Sequence, residues 1–203
     1  MKIICIGRNY PDHAKELANE IPENPIFFIK PDGALLRNNN PFFIPDFSED
    51  IHYEVEIIFK INHIAKCIKP EFVHRYFNEI GVGIDFTARD LQQKCKQKGL
   101  PWEIAKAFDN SAAVSSFIDK NELPDLENIN FRLDINGITV QKGCTAHMIF
   151  NFDTIVSHVS QFITLKMGDI FFTGTPSGVG AVKIGDRLQA YIEDLLMLDF
   201  MIK

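Results

Sequence analysis

Two glutamates separated by one residue, Glu54 and Glu56, lie in the segment HYEVE, which an apolar run follows. Side chains of a β-strand alternate between two faces, so a strand here would present both carboxylates on one face. Their Cα atoms would then be about 6.5 Å apart, which lets both side chains converge on one cation. An antiparallel strand with one face in water shows the same alternation, so HYEVE alone leaves both interpretations open.

A third carboxylate, Asp85, lies near the end of the apolar, glycine-containing run EIGVGIDF, which we predict to be a strand. Thr87 is a suitable cap for a helix that runs to Lys98, and Gly99 is a suitable residue just past its C-terminus. Asp85 is therefore expected at a strand-to-helix junction.

Three further polar residues follow Asp85. Arg89 and Gln92 are three residues apart on the predicted helix, so a cation and an amide would emerge on one side, although either could be a solvated surface group. Lys106 stands in the apolar segment GLPWEIAKAF. Its ammonium either extends to water or is held inward to meet an anion.

A histidine and a glutamate share a face near the N-terminus. Residues 2–6 read as a buried strand that ends at Gly7, and the helix DHAKELANE follows, with Pro11 in its first turn. His13 and Glu16 are three residues apart on this helix, so the carboxylate could fix one imidazole tautomer and raise its basicity. A surface helix with both residues in water is the alternative.

The other elements are predicted from local patterns. We expect strands over PIFFIK, PFFIP and HYEVEIIFKI, a short helix over PEFVHRYF, and a hairpin that turns at Asn136 and Gly137. Apolar residues spaced as in a helix follow Asp153, and His158 lies off that stripe as a structural residue. The segment DIFFTGTPSGVG runs from a buried strand into a loop whose hydroxyl and amide groups could bind a carboxylate. Further strands complete the chain.

Composition narrows the class of protein. The 203 residues are 46% hydrophobic and 24% charged, with 18 Phe, which suits one well-packed domain over residues 1–203. A net charge of −6 without a basic cluster argues against nucleic acid binding. The four cysteines form no CxxC pair, and we expect reduced, buried thiols. No signal peptide or membrane span is evident, so we expect a soluble cytoplasmic protein that does not bind membranes.

Several enzyme classes lack their motifs here. The loop GTPSGVG has no Gly-Lys-Ser/Thr ending, and neither GVG completes a GxGxxG, so nucleotide cofactors are not expected. HYEVE has the wrong spacing for a zinc protease helix, and no GxSxG elbow is present.

Six segments in order resemble the fumarylacetoacetate hydrolase family in its short, acylpyruvase-like form: GRNYPDHAKEL, FIKP, HYEVEI, GIDFTARDLQ, KGLPWEIAKAFD and FTGTPSGVG. The resemblance extends over nearly the entire chain. It implies a β-rich α+β fold in which mixed sheets roll around a divalent-metal site, commonly in a homodimer.

The resemblance also implies roles for residues. The ligands of Mg²⁺ or Mn²⁺ would be Glu54, Glu56 and Asp85, and hard oxygen ligands suit both ions. A 2-oxo acid would chelate the ion, and the metal and Lys106 would stabilise an enolate. The groups that bind the acid end would be Arg89, Gln92 and Thr175. His52, on the face of the two glutamates, is expected to support the ligands or the fold.

In family members that hydrolyse acylpyruvates, a histidine and a glutamate that match His13 and Glu16 activate water. We therefore expect a Mg²⁺-dependent hydrolase that cleaves an acylpyruvate-like acid to pyruvate and a carboxylic acid, with the early helix as a lid. Decarboxylation of an oxo acid such as oxaloacetate, or isomerisation of a 2-hydroxydienoate, would use the same site. A non-catalytic binding module is the third possibility.

Overall fold

Strands dominate the computed structural model, which describes residues 1–18 and 20–203. The strands are β1 Lys2–Gly7, β2 Ile26–Pro31, β3 Leu35–Leu36, β4 Ile51–Tyr53, β5 Val55–Ile61, β6 Phe77–Asp85, β7 Thr87–Ala88, β8 Ala112–Val114, β9 Ile118–Asp119, β10 Asn130–Ile135, β11 Ile138–Cys144, β12 Ile170–Phe172, β13 Gly180–Ala181, β14 Arg187–Ile192 and β15 Leu195–Met201. The helices are α1 Pro11–Glu16, α2 Arg89–Lys98, α3 Glu103–Lys106 and α4 Phe152–Phe162. The predicted β-rich α+β class is confirmed.

The strands form three sheets. The largest has eight strands in the order β2-β1-β12-β5-β6-β8-β3, with β9 beside β6. It is mixed, because β1 pairs with β12 and β3 with β8 in parallel, whereas the other pairs are antiparallel. The second sheet has the order β11-β10-β14-β15, and the third has the order β13-β4-β7.

Both faces of the large sheet are buried. Along β1, Ile4 and Ile6 belong to one apolar cluster, whereas Ile3 and Cys5 belong to the other. This division follows from the two-residue period of a strand. The apolar stripe of α4 packs into the first cluster, as its helical spacing predicts. No helix in the described part of the chain is long and apolar enough to cross a bilayer.

Several local predictions are confirmed. Asn136 and Gly137 both have positive φ and connect β10 to β11 as the predicted hairpin turn. Gly99 ends α2 in the left-handed conformation. The glycines of β6 allow close packing, since a Cβ on Gly83 would lie 2.6 Å from the ring of Phe172.

Other predictions are wrong in detail. PFFIP forms no strand, and only Phe42 makes an isolated bridge, to Ile202. The short helix predicted over PEFVHRYF is present over Pro70–Arg75, as a 3-10 helix whose tighter turn suits a short segment. Helix α1 ends at Glu16, earlier than predicted, and Asn19 of the predicted helix lies outside the described residues.

Two side chains also differ from expectation. Thr87 does not cap α2, because it lies in β7 and its hydroxyl is directed to the Asp85 carbonyl at 3.4 Å. Cys67 is exposed, whereas the other three cysteines are buried free thiols. Its positive φ of 51° places it in a turn, outside the apolar layers.

Candidate active site

The carboxylates of Glu54, Glu56 and Asp85 form a buried cluster. Each residue offers an oxygen within 4.8 Å of the others. Their exposed fractions are 5%, 2% and 1%. Three carboxylates crowded together away from water repel one another, so the cluster needs cations close by.

Strand register brings the three carboxylates together. Val55 pairs with Ile84, so the start of β5 lies against the end of β6. The amide of Asp85 donates a 2.9 Å hydrogen bond to the carbonyl of Glu54. Glu54 itself is the break between β4 and β5, which the sequence pattern had joined into one strand.

Three cationic side chains contact this cluster. Lys106 Nζ lies 2.9 Å from Glu54 Oε2 and 2.8 Å from Asp85 Oδ2. An Arg89 nitrogen lies 2.6 Å from Glu54 Oε1. Lys30 Nζ, fully buried, lies 2.6 Å from Asp85 Oδ1. Of the two positions open to Lys106, the structure therefore has the inward one.

The surroundings of Glu54 and Glu56 shift the pKa values of the two carboxyl groups in opposite directions. Burial raises the pKa of Glu54, but the charges of Lys106 and Arg89 outweigh it and hold that pKa well below its usual range. Burial, together with the charges of Asp85 and Glu54, raises the pKa of Glu56 well above its usual range. A hydrogen bond from the Gly174 amide to Glu56 Oε2, at 2.6 Å, opposes this rise only in part.

The donor set fits a hard divalent cation. All three side chains offer oxygen, which Mg²⁺ and Mn²⁺ prefer. Asp85 Oδ1 is buried and lies 2.6 Å from Lys30 Nζ, which also donates to Ser111 O and Oγ at 2.8 and 3.0 Å. Burial raises the pKa of the Cys5 thiol well above its usual range, with the charge of Asp85 acting in the same direction.

Helix α1 brings an imidazole to the same pocket. His13 is buried, and its Nδ1 lies 3.2 Å from Glu16 Oε2. The segment before α1 is fixed by Asn9, whose side chain donates to the Phe150 and Thr173 carbonyls and accepts from the Phe150 amide. Burial lowers the pKa of His13, although the charge of Glu54 and the bond to Glu16 act in the opposite direction.

The predicted substrate-binding residues also reach the pocket. Arg89 donates to Gln92 Oε1 at 2.8 Å, so the two side chains form a unit across one helical turn. Thr175 is buried, donates to the Val55 carbonyl at 2.8 Å and accepts from Gln141 at 3.0 Å. The hydroxyl proton of Thr175 is therefore already donated to a backbone carbonyl of the protein.

Eight of the nine predicted site residues line one pocket: His13, Glu54, Glu56, Asp85, Arg89, Gln92, Lys106 and Thr175. Glu16 reaches it through His13. His52 does not line it and instead contacts Asp50 at 2.9 Å. His158 contacts the rings of Phe27 and Phe162, as a structural residue would.

Sequence reasoning assigned no role to three cations near the pocket: Arg8, Lys30 and Lys96. Lys30 pairs with Asp85, and the other two line the pocket wall. A lysine in the apolar strand PIFFIK, and an arginine directly after the glycine that ends β1, were the available signals.

A sequence profile for the C-terminal domain of fumarylacetoacetate (FAA) hydrolase matches residues 2–202. The chain belongs to the fumarylacetoacetate hydrolase family, as the sequence motifs indicated.

Individual relatives are similar over almost the whole chain. It is 39% identical over 201 residues to the mitochondrial oxaloacetate tautomerase FAHD1 of Bos taurus, covering 99% of this chain and 91% of the relative. It is 41% identical over 195 residues to the mitochondrial oxaloacetate decarboxylase of Dictyostelium discoideum, covering 96% of this chain and 89% of the relative. The crystal structure of Pseudomonas aeruginosa fumarylpyruvate hydrolase with Mn²⁺ and pyruvate matches with a TM-score of 0.94 at 33% identity. The match covers 100% of this chain and 89% of the hydrolase. The fold prediction is confirmed.

Proposed function

We propose that the chain is a divalent-metal-dependent enzyme that interconverts the enol and keto forms of an oxaloacetate-type 2-oxo acid. The observation that carries this proposal is a buried three-carboxylate cluster that shares one pocket with Lys106 and with an imidazole held by Glu16. The similarity to oxaloacetate enzymes favours this substrate class over the acylpyruvate expected first from the sequence.

In this proposal Glu54, Glu56 and Asp85 hold Mg²⁺ or Mn²⁺. The Mn²⁺ in the similar fumarylpyruvate hydrolase and the three converging carboxylates of this chain support a cation at this position. When bound, the ion supplies Lewis acidity that favours the enolate form of a chelated oxo acid.

Lys106 is the chain's own enolate-stabilising group. Burial lowers its pKa, but the charges of Asp85 and Glu54 outweigh burial and raise that pKa, so the ammonium stays charged. A charged donor in a buried pocket stabilises negative charge that develops on the C2 oxygen. Arg89 and Gln92, joined by their hydrogen bond, orient the acid end of the substrate, and Thr175 borders it.

His13 moves the proton at C3 of the substrate. With the Nδ1 proton donated to Glu16, the lone pair of Nε2 is free to accept that proton and to return it. The lowered pKa keeps the imidazole neutral near pH 7, as a base requires. Closure of α1 over the pocket as a lid remains part of this proposal.

Hydrolysis of an acylpyruvate is the second candidate. The pair of His13 and Glu16 could equally activate a water molecule, and the similarity to fumarylpyruvate hydrolase favours this alternative. Decarboxylation of oxaloacetate would use the same enolate-stabilising groups without a base.

Three parallel assays on the purified chain test the proposal. The enol form of oxaloacetate is diluted into buffer and its ultraviolet absorbance is followed, pyruvate release reports decarboxylation, and cleavage of acetylpyruvate reports hydrolysis. We expect Mg²⁺ or Mn²⁺ to accelerate ketonisation most strongly, and a chelator to abolish the effect. Cleavage of acetylpyruvate with no acceleration of ketonisation would establish the hydrolase instead, and metal binding without any turnover would establish a binding module.

We also propose that residues 1–203 act as a single catalytic domain and that the protein forms a homodimer. Both statements rest on the family resemblance. Light scattering on the eluting protein measures its mass directly, and a monomer of 23.1 kDa would contradict the dimer.

A further inference from the structure

Arg8 occupies an unusual position at the pocket. Its φ of 58° lies in the left-handed region, which costs a residue with a long side chain about 1 kcal/mol or more. The guanidinium Nε is buried and has no hydrogen-bond partner among the described residues, which also offer Arg8 no ion pair. A strained backbone and an unpaired buried donor at a pocket wall are features of ligand-binding positions.

Lys96 is a second cation at the same pocket. It lies on α2 at the rim of the pocket, with Nζ 5.7 Å from the centre of the Trp102 ring. Partial burial lowers its pKa, and the positive charges of Arg8 and Arg89 lower it further. In the described part of the chain, Lys96 has no carboxylate within ion-pair distance.

The cations of the pocket therefore divide into two groups. Lys30, Lys106 and Arg89 already pair with the carboxylate cluster. Arg8 and Lys96 pair with nothing described, although they line the same pocket. Cations that repel one another at a pocket wall favour an anionic ligand group at that wall.

We propose that Arg8 and Lys96 bind the second carboxylate of a dicarboxylic 2-oxo acid, and so select dicarboxylates over monocarboxylates. This inference rests on the proposed function, in which the first carboxylate and the oxo group lie at the cluster of Glu54, Glu56 and Asp85. Arg8 presents a planar set of donors that matches a carboxylate, and Lys96 adds a charge at the entrance.

A pair of unreactive ligands tests the inference. Malate and lactate have the same 2-hydroxy acid head, and only malate carries a second carboxylate. Their affinities for the Mn²⁺-loaded protein are measured by calorimetry in the unmodified chain and in Lys96→Met, Lys96→Arg and Arg8→Asn. Asn tolerates positive φ, so Arg8→Asn removes the guanidinium without new backbone strain. Lys98→Met, an exposed change on the same helix, is the matched control.

We expect the unmodified chain to bind malate about tenfold or more tightly than lactate. Lys96→Met and Arg8→Asn should each reduce malate affinity by about tenfold and leave lactate affinity within about twofold, whereas Lys96→Arg and Lys98→Met should retain the preference. Equal loss for both ligands, or no preference in the unmodified chain, would overturn the inference. A malate preference without turnover of oxaloacetate would support the second-carboxylate site and overturn the proposed reaction.

Discussion

Glu16 holds the ring of His13 with one carboxylate oxygen and the glycine loop after β12 with the other. Its Oε2 lies 3.2 Å from His13 Nδ1, and its Oε1 accepts a 3.0 Å hydrogen bond from the Gly178 amide. The orientation of the imidazole therefore depends on a loop that is distant in sequence. Because Gly174 in that loop also binds Glu56, the base and the carboxylate cluster share one support.

Glu16→Gln should change the pH dependence of proton transfer. His13 must be neutral to accept the C3 proton, so the rate falls as pH decreases through its pKa, which burial places below the ordinary value of about 6.5. The charge and hydrogen bond of Glu16 raise that pKa, so their loss moves the midpoint to lower pH. Deuterium incorporation at C3 of oxaloacetate, followed by NMR across pH, measures this. A midpoint that stays or rises would contradict the assignment.

His13→Ala should separate proton transfer from decarboxylation. Removing a general base costs about 10²- to 10⁴-fold, so ketonisation and acetylpyruvate cleavage should both fall by this amount. Release of CO₂ from oxaloacetate needs only enolate stabilisation and should change little. Enol absorbance and pyruvate release are compared in this variant and in His147→Ala, an exposed histidine outside the pocket. Equal loss of both reactions, or of neither, would refute the division.

Lys106→Met should separate catalysis from metal binding. Loss of the donor to the developing enolate should lower kcat by about 10²- to 10³-fold. The same change removes a positive charge next to Glu54 and Asp85, so affinity for Mn²⁺ should stay equal or increase. Turnover and Mn²⁺ titration are measured together. Unchanged turnover, or weakened Mn²⁺ binding, would contradict the assigned role.

Glu56→Gln and Glu54→Gln should shift the stability of the metal-free protein in opposite directions. The pKa of Glu56 is raised, so stability decreases as pH rises from the unfolded-state pKa to the folded-state pKa, and Gln removes this loss at neutral pH. The pKa of Glu54 is lowered, so its negative charge stabilises the fold above the unfolded-state pKa. Glu54→Gln removes this charge and should therefore lower the stability.

Thermal unfolding at pH 7 measures both effects, at about 2–4 °C per kcal/mol for a chain of this size. Tm should rise for Glu56→Gln and fall for Glu54→Gln, while both variants should bind Mn²⁺ at least about tenfold more weakly. Shifts of the same sign would show that the two glutamates do not differ in this way.

Gly174→Ala should disturb the site through the loop. Gly174 has a φ of 100°, and a Cβ there would lie 2.7 Å from the Cβ of Asn9, which anchors the segment before α1. Gly168 has a φ of 89° with nothing within 4 Å, so Gly168→Ala reproduces the backbone strain without the clash. We expect about 1–3 kcal/mol more destabilisation in Gly174→Ala, and weaker Mn²⁺ binding in that variant alone. Equal losses in stability would rule out the clash.

Local patterns predicted much of the fold. The Asn136–Gly137 turn and the end of α2 at Gly99 depend on backbone preferences within a few residues. PFFIP has an equally strong strand pattern, but its backbone hydrogen bonds to residues 201–203 give only one bridge, between Phe42 and Ile202.

The site was harder to predict than the fold. The carboxylate positions followed from motif order, but the charge arrangement depends on residues far apart in the chain. Lys30 on β2 and Asp85 at the end of β6 form an ion pair although their strands are not neighbours in the sheet, and no spacing in the sequence encodes that contact. The position of Arg8 could not be predicted from the sequence either, because its positive φ depends on the path of the chain after β1.

The ion pairs at the cluster also have a thermodynamic consequence. When all six side chains are ionised, the net charge of the cluster is zero before any metal ion binds. The three negative charges of Glu54, Glu56 and Asp85 are then neutralised by the three positive charges of Lys30, Lys106 and Arg89. A divalent cation adds two uncompensated positive charges, which an anionic chelator neutralises. Ion and oxo acid should therefore bind with positive heterotropic coupling, each increasing the affinity of the other by the same factor.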